Sequence, residues 1–193
     1  MKKLILITAL TIIAMSIAAC KNKPAGNGEE QLQEHENTTR VLVAYFSATG
    51  NTKAAAEKLA SVTGGRLHAI EPATAYTAAD LDWHDKSSRS SVEMNDPAAR
   101  PEIKNVDIDM AQFDTIYVGY PIWWYICPRV INTFVETYNL KGKTIRVFAT
   151  SGSSSIDGSL EYLRKTYPEL TWTDGALLNG ATEADIRQWV EGK

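Results

Sequence analysis

The amino-acid sequence predicts an α/β fold, a parallel sheet with helices packed on both faces. Three observations predict it. Apolar, β-branched and aromatic runs such as VLVAYF recur without interruption, as strands buried on both faces require. Segments whose apolar residues repeat at helical spacing follow these runs. Strand and helix then alternate about five times from Arg40 onward, which calls for parallel strands joined by crossover helices.

The first strand is Val41 to Phe46. A small polar loop, SATGNT, leads straight into a helix from Thr52, where Ala55, Leu59 and Val62 share a face and Gly64-Gly65 end it. RLHAI, Arg66 to Ile70, reads as the second strand, with His68 on its solvent side. Residues 71–110 are polar and broken by Pro97 and Pro101; they predict one helix near Ser87 to Met94. His84 in this stretch has no second histidine at metal-ligand spacing. Thr115 to Pro121 is the third strand. The helix after it has Pro128 in its first turn and Ile131, Phe134, Val135 and Tyr138 on one face. Thr144 to Thr150 is the fourth strand, followed by a small-residue loop, SGSSS, and a helix lined by Ile156, Leu160 and Leu163. TWTDGALL supplies the last strand. Thr182-Glu183-Ala184-Asp185 forms a capping box that opens a final helix with Ile186, Trp189 and Val190 inward.

The chain ahead of this domain has a different character. Lys2 and Lys3 precede an apolar run that ends at Cys20, short for a spanning helix, which needs roughly 20 apolar residues. A basic start, an apolar centre and small residues before the cut describe an export signal. Ile17-Ala18-Ala19-Cys20 resembles the lipobox of bacterial lipoproteins, which implies a signal peptide over 1–19 and a lipid on Cys20. A plain N-terminal membrane helix, or a signal with an incidental cysteine, also fits the run. Residues 20–39 are polar with little to bury, so they read as a tether, and the folded domain spans 40–193. With Cys20 lipidated, Cys127 has no disulfide partner and reads as a buried thiol. A net charge of −3 without a basic block argues against a nucleic-acid partner.

In such sheets ligands sit at the carboxyl ends of the strands, where strand order reverses. Three loops meet that description: Ser47 to Thr52, Tyr120 to Cys127, and Ser151 to Ser155. The first joins a buried strand to a helix start, where unpaired amides and a partial positive charge hold a phosphate without cations. The hydroxyls of Ser47, Thr49 and Thr52 add donors, and Gly50 lets backbone approach closely. Other phosphate loops fit worse: Gly50 and Lys53 are too far apart for a Walker motif, and one glycine is too few for a dinucleotide fingerprint. Gly152-Ser153-Ser154-Ser155-Ile156 lacks the last glycine of a nucleophile elbow. In the second loop, six of the eight residues from Tyr120 to Cys127 are aromatic or branched aliphatic, a wall on which a planar heterocycle stacks or which simply covers the core.

SATGNT resembles the phosphate loop of the flavodoxin family, and YVGYPIWW and FATSGSSS fall where that family places its two flavin-ring loops. The resemblance covers Arg40 to the C-terminus in element order. It implies a flavodoxin-like three-layer sandwich of the short-chain form, with sheet order 2-1-3-4-5 and FMN as cofactor. By that resemblance Ser47, Thr49, Gly50, Asn51 and Thr52 hold the phosphate. Pro121, Ile122, Trp123 and Trp124 line the ring, with Trp123 the stacking residue. Thr150, Ser151 and Gly152 offer backbone hydrogen bonds to the polar edge of the ring. No metal or side-chain nucleophile is implied.

The sequence departs from the family in two places. Trp124 stands where electron-transfer flavodoxins place a glycine beside the ring, and a positive φ there costs a non-glycine residue about 1–2 kcal/mol. The one-electron-reduced flavin is therefore expected to be weakly stabilised, with a leaning towards two-electron chemistry. The loops also offer Arg129 and Asp157, near charge balance, which predicts a less extreme low potential. Export disfavours NAD(P)H as donor, so membrane quinones or a neighbouring redox protein are the expected partners. Two classes of function stay open: a flavin redox protein, as carrier or as quinone or NAD(P)H reductase, and a non-catalytic module used for partner contact.

Overall fold

The computed structural model describes residues 40–104 and 107–192. The expected signal peptide, Cys20 and the tether lie outside the described residues.

Five parallel strands form one sheet: β1 (Val41–Tyr45), β2 (Arg66–Ala69), β3 (Thr115–Pro121), β4 (Thr144–Thr150) and β5 (Thr171–Leu177), in the order 2-1-3-4-5. The helices are α1 (Asn51–Thr63), α2 (Arg89–Asn95), α3 (Arg129–Thr137), α4 (Asp157–Thr166) and α5 (Glu183–Val190). Strand alternation sorts two cores. Leu42, Ala44 and Phe46 of the β1 segment pack with Ile131 and Phe134 of α3 and Leu163 of α4. Val41, Val43 and Tyr45 pack on the opposite face with Leu59 of α1 and Ile186 of α5. Each such side chain, once fully buried, contributes about 1.5–3 kcal/mol. No helix of the described residues is long and apolar enough to cross a membrane.

Local signals end the elements as read. Gly64 caps α1 with φ 66°, and the α5 capping box is reciprocal: Asp185 N–H donates to the Thr182 side chain while Thr182 N–H donates to Asp185. Gly119 in β3 has a different role. A Cβ there would meet the Phe148 ring of β4 at 2.0 Å, so the glycine lets that ring lie across its neighbour strand.

Three expectations change. His68 does not face solvent. Register pairs it with Ala44 on the α3 face, its ring lies 6.3 Å from that of Phe134, and burial lowers its pKa, with the Arg66 charge adding to the shift. Leu67 is the more exposed neighbour. Pro128 is the N-cap of α3 and not a first-turn residue, and Tyr138 caps its other end. Arg129 is 4% exposed and donates to the Tyr162 hydroxyl at 2.7 Å and to the Met94 carbonyl at 3.1 Å. It clamps α2 and α4 onto α3 and is not a loop charge at the sheet edge.

Candidate functional site

The chain turns one way from β1 to β2 and the other way to β3, so a crevice opens at the carboxyl ends of β1 and β3. The three small-residue and aromatic loops rise around it. Phe46 N–H donates to the Gly119 carbonyl (2.9 Å), which holds the first loop on the β3 edge. Gly50 follows at φ 93°, a conformation strained for any side chain, and its N–H donates to Ser47 Oγ at 3.1 Å. The resulting turn ends in the N-terminus of α1, which has neither a side-chain cap nor an acidic residue in its first turn. Its leading amides therefore meet an anion without competition.

Thr49, Gly50 and Asn51 are exposed on this turn and Ser47 is half-buried. Thr52 is placed differently. It is 1% exposed, and its hydroxyl lies 2.9 Å from that of Thr150 at the end of β4. It ties the first loop to the third.

The second loop leaves β3 at Pro121. Ile122 N–H donates to the Thr150 carbonyl at 2.9 Å. Trp123 is half-buried, edge-on to Phe46 (5.7 Å, 87°) and to Tyr76 (5.3 Å, 83°). Each such pair is worth about 0.5–1.5 kcal/mol beyond its buried area, so this indole is held firmly. Tyr76 is fixed in turn by Glu93, which accepts its hydroxyl, and by the Arg89 guanidinium 4.0 Å over its ring. Burial, reinforced by Glu93, pushes the Tyr76 hydroxyl far above its ordinary pKa and keeps it neutral.

Trp123 and Ile126 exchange backbone hydrogen bonds at 3.0 and 3.1 Å, closing a two-residue turn. Its central residues are Trp124 at φ 44° and Tyr125 at φ 72°, both left-handed and neither a glycine. This is the hairpin geometry that Asn-Gly ordinarily fills. The strain expected at Trp124 is thus present in the structure, doubled at Tyr125, and held by the two backbone bonds.

In the third loop several backbone groups have partners within the protein. The Thr150 carbonyl accepts from Ile122, and Ser151 pairs with Asn179: its N–H donates to Asn179 Oδ1 (2.9 Å) and its carbonyl accepts from Asn179 Nδ2 (2.7 Å). Ser151 Oγ accepts from Ser153 and Ser154 N–H. Thr150 and Ser151 thus also shape the loop, and Gly152 lies exposed between them and the serines.

Between the second and third loops lies a cavity of about 460 Å³. Its other wall is Leu81, Trp83 and Ser90 from the long β2–β3 connection, which sequence reasoning left out of the site. Asn179 and Tyr76 were missed as well. Their roles rest on partners 28 and 17 residues away, which no local pattern encodes. Cys127 is fully buried, and burial pushes its thiol up to about 12.

A five-stranded parallel sheet of order 2-1-3-4-5, with an uncapped helix start after β1 and a cavity of aromatic and small polar residues between the next two loops, defines an α/β protein of the three-layer class. Residues 40–193 match the sequence model of the flavodoxin family, and the chain belongs to that family. It is similar to a candidate flavoprotein from Bacteroides eggerthii DSM 20697, at 56% identity over 79% of this chain and 96% of that one, TM-score 0.77. A second candidate flavoprotein, from Bacteroides uniformis ATCC 8492, is 52% identical over 79% and 98%, TM-score 0.77. A flavoprotein from Lactobacillus acidophilus NCFM, solved in complex with FMN, shares the fold at 21% identity, 79% and 99% coverage and TM-score 0.63. No curated protein matches the chain.

Proposed function

We propose that this protein binds FMN at the sheet edge and moves electrons on the outer side of a bacterial membrane, tethered by a lipid on Cys20. The observation that carries the reading is the meeting of two unlike surfaces: an open helix N-terminus suited to a phosphate monoester and, beside it, an uncharged aromatic cavity suited to a flat ring. The FMN complex of the Lactobacillus relative, which has the same fold, supports the choice of ligand.

Ser47, Thr49, Gly50 and Asn51 hold the phosphate, chiefly through the amides that open α1, and Thr52 braces them from below through Thr150. Ile122, Trp123 and Trp124 line the ring, with Pro121 setting where the loop departs. Gly152 meets the polar edge from the third loop. FMN, once bound, supplies one- and two-electron redox chemistry. The chain's part is to orient the ring, keep water from one side of it, and leave the other side open to a partner. That partner is a neighbouring redox protein or a membrane quinone.

Titration of the full chain with FMN and with riboflavin, followed by flavin fluorescence, tests the reading. Quenching by FMN with much weaker binding of riboflavin is expected. Equal binding would remove the phosphate argument, and no binding would favour a partner-contact module. The anchor is tested separately: Cys20→Ser releases the protein from the membrane fraction if the lipid holds it there.

A further inference from the structure

Phe46 and Tyr76 are the two rings against which Trp123 is set, and they differ in kind. Phe46 follows β1, is 2% exposed and belongs to the core. Tyr76 lies in the connection between β2 and β3 and is only half-buried. A loop ring of that sort is not held by burial alone. This one is anchored by its neighbours. Its hydroxyl donates to Glu93 Oε2 of α2, the Arg89 guanidinium lies 4.0 Å over its ring, and the Phe46 ring packs 5.7 Å from it at 58°. Arg89 is tied down in its turn: Nε donates to Glu93 Oε1 at 2.6 Å and Nη1 to the Thr74 carbonyl at 2.8 Å. Arg89 and Glu93 are both largely withdrawn from water, with side-chain exposures of 25% and 13%.

The consequence falls on Trp123. Its backbone is fixed by the exchange with Ile126, so only its side-chain torsions are left to vary. A free side chain divides among about three staggered χ1 wells. Phe46 and Tyr76 meet the indole at 87° and 83°, and two near-perpendicular rings on different segments select one plane for it. In that plane the indole lines the cavity assigned to the flavin ring.

We propose that Tyr76 is a positioning residue of the flavin site: held by Arg89 and Glu93 of α2, it fixes the plane of the Trp123 indole before the cofactor arrives. The inference rests on the FMN reading, since the value of a fixed indole lies in the ring it receives. A ligand that needs one orientation binds with an affinity reduced by the fraction of protein that holds it. Freeing the indole among three wells therefore weakens FMN about threefold. A loosened indole also admits water to the ring, which favours the charged reduced form over the neutral oxidised one and raises the potential.

The test uses the full chain with nitrogen-labelled tryptophan, which gives one indole N–H resonance for each of its five tryptophans. The Trp123 signal is assigned by its loss in Trp123→Phe. Without FMN, the unaltered chain is expected to show a single sharp Trp123 signal, and Tyr76→Leu a broadened or divided one. With FMN, Tyr76→Leu should bind about threefold more weakly and show a higher midpoint potential. Tyr76→Phe keeps the ring and should recover most of each change. These chains carry the same charges, so Asp82, Lys86 and Arg89 contribute equally to all of them. A Tyr76→Leu chain that only melts earlier, with the Trp123 signal, FMN affinity and potential unmoved, overturns the inference and leaves Tyr76 a purely structural residue. Equal losses in Tyr76→Phe and Tyr76→Leu also overturn it, by giving the effect to the hydroxyl. Should Tyr76→Leu not fold, Arg89→Met decides: it removes the cation that covers the Tyr76 ring, and a Trp123 signal left sharp overturns the inference while a broadened one sustains it. If the protein takes no FMN, the functional reading falls, and the Trp123 signal of the FMN-free chain alone decides whether Tyr76 positions the indole.

Discussion

Thr52 Oγ1 and Thr150 Oγ1 lie 2.9 Å apart, both buried, and join the first turn of α1 to the end of β4. The phosphate-type loop and the third loop are therefore one mechanical unit, although 98 residues separate the two hydroxyls. Removing one partner leaves a buried hydroxyl unpaired, at a cost of about 1–3 kcal/mol. Thr150→Val is expected to lose stability in that range. Thr52→Val should do the same, and the double variant should lose less than the two single losses added, because the first change already breaks the pair. Urea unfolding of the two single variants and the double variant measures the coupling, expected at about 0.5–3 kcal/mol.

The left-handed pair Trp124 and Tyr125 carries strain that glycine would not. Each non-glycine residue there costs about 1–2 kcal/mol, and glycine loses back about 0.5–1 kcal/mol in unfolded-chain entropy. Tyr125→Gly, whose side chain is 73% exposed, is therefore expected to stabilise the domain. A gain of about 1 kcal/mol raises the melting temperature by about 2–4 °C in a chain of this size. An unchanged or lower melting temperature would show that the tyrosine makes a contact worth more than its strain.

Gly119→Ala should be disruptive for a reason unrelated to backbone freedom. Its methyl group would enter the Phe148 ring, which is fully buried and cannot swing out. Overpacking of this kind costs about 1–3 kcal/mol. Denaturant unfolding of Gly119→Ala, and of Gly119→Ala with Phe148→Leu, separates clash from other causes: the second change should recover part of the loss.

At the opposite end of the sheet, Arg146 grips Asp174 through two nitrogens at 2.7 and 2.6 Å, and Trp189 Nε1 donates to the same carboxylate at 2.7 Å. Partial burial works to raise the Asp174 pKa. The hydrogen bonds and charge of Arg146, with the bonds from Trp189 and Thr173, outweigh it and hold the carboxyl below its usual 3.8. A carboxylate whose folded pKa is depressed stabilises the fold above its unfolded pKa and loses that contribution as pH falls through the folded value. Stability should therefore decline below about pH 3.8, and Asp174→Asn should flatten that acid limb while lowering stability at neutral pH. Equilibrium unfolding between pH 2 and 7, roughly the range over which carboxylates titrate, gives the comparison.

Much of this protein was legible before any coordinates. Caps, glycine stops and apolar periodicity depend on neighbours within a few residues, so β3 and β4 fall at Thr115–Pro121 and Thr144–Thr150 as read, and the Thr182–Asp185 box opens α5. The phosphate-type loop was legible for the same reason, because a strand, a glycine turn and a helix start are consecutive in the chain. The face chosen by His68 was not, since an edge strand takes its inside from the helix that covers it.

The sequence by itself determined the order of elements, the sheet class and the loop that opens α1, all products of short-range hydrogen bonding and periodic burial. Only the tertiary structure decided the rest of the site. It withdrew Arg129 into a clamp between helices and gave Ser151 to Asn179. It also bent Trp124 and Tyr125 into a left-handed turn and brought Trp83 across to face them. Each of these depends on contacts between segments far apart in the chain, and their energies exist only once the sheet has brought its carboxyl ends together.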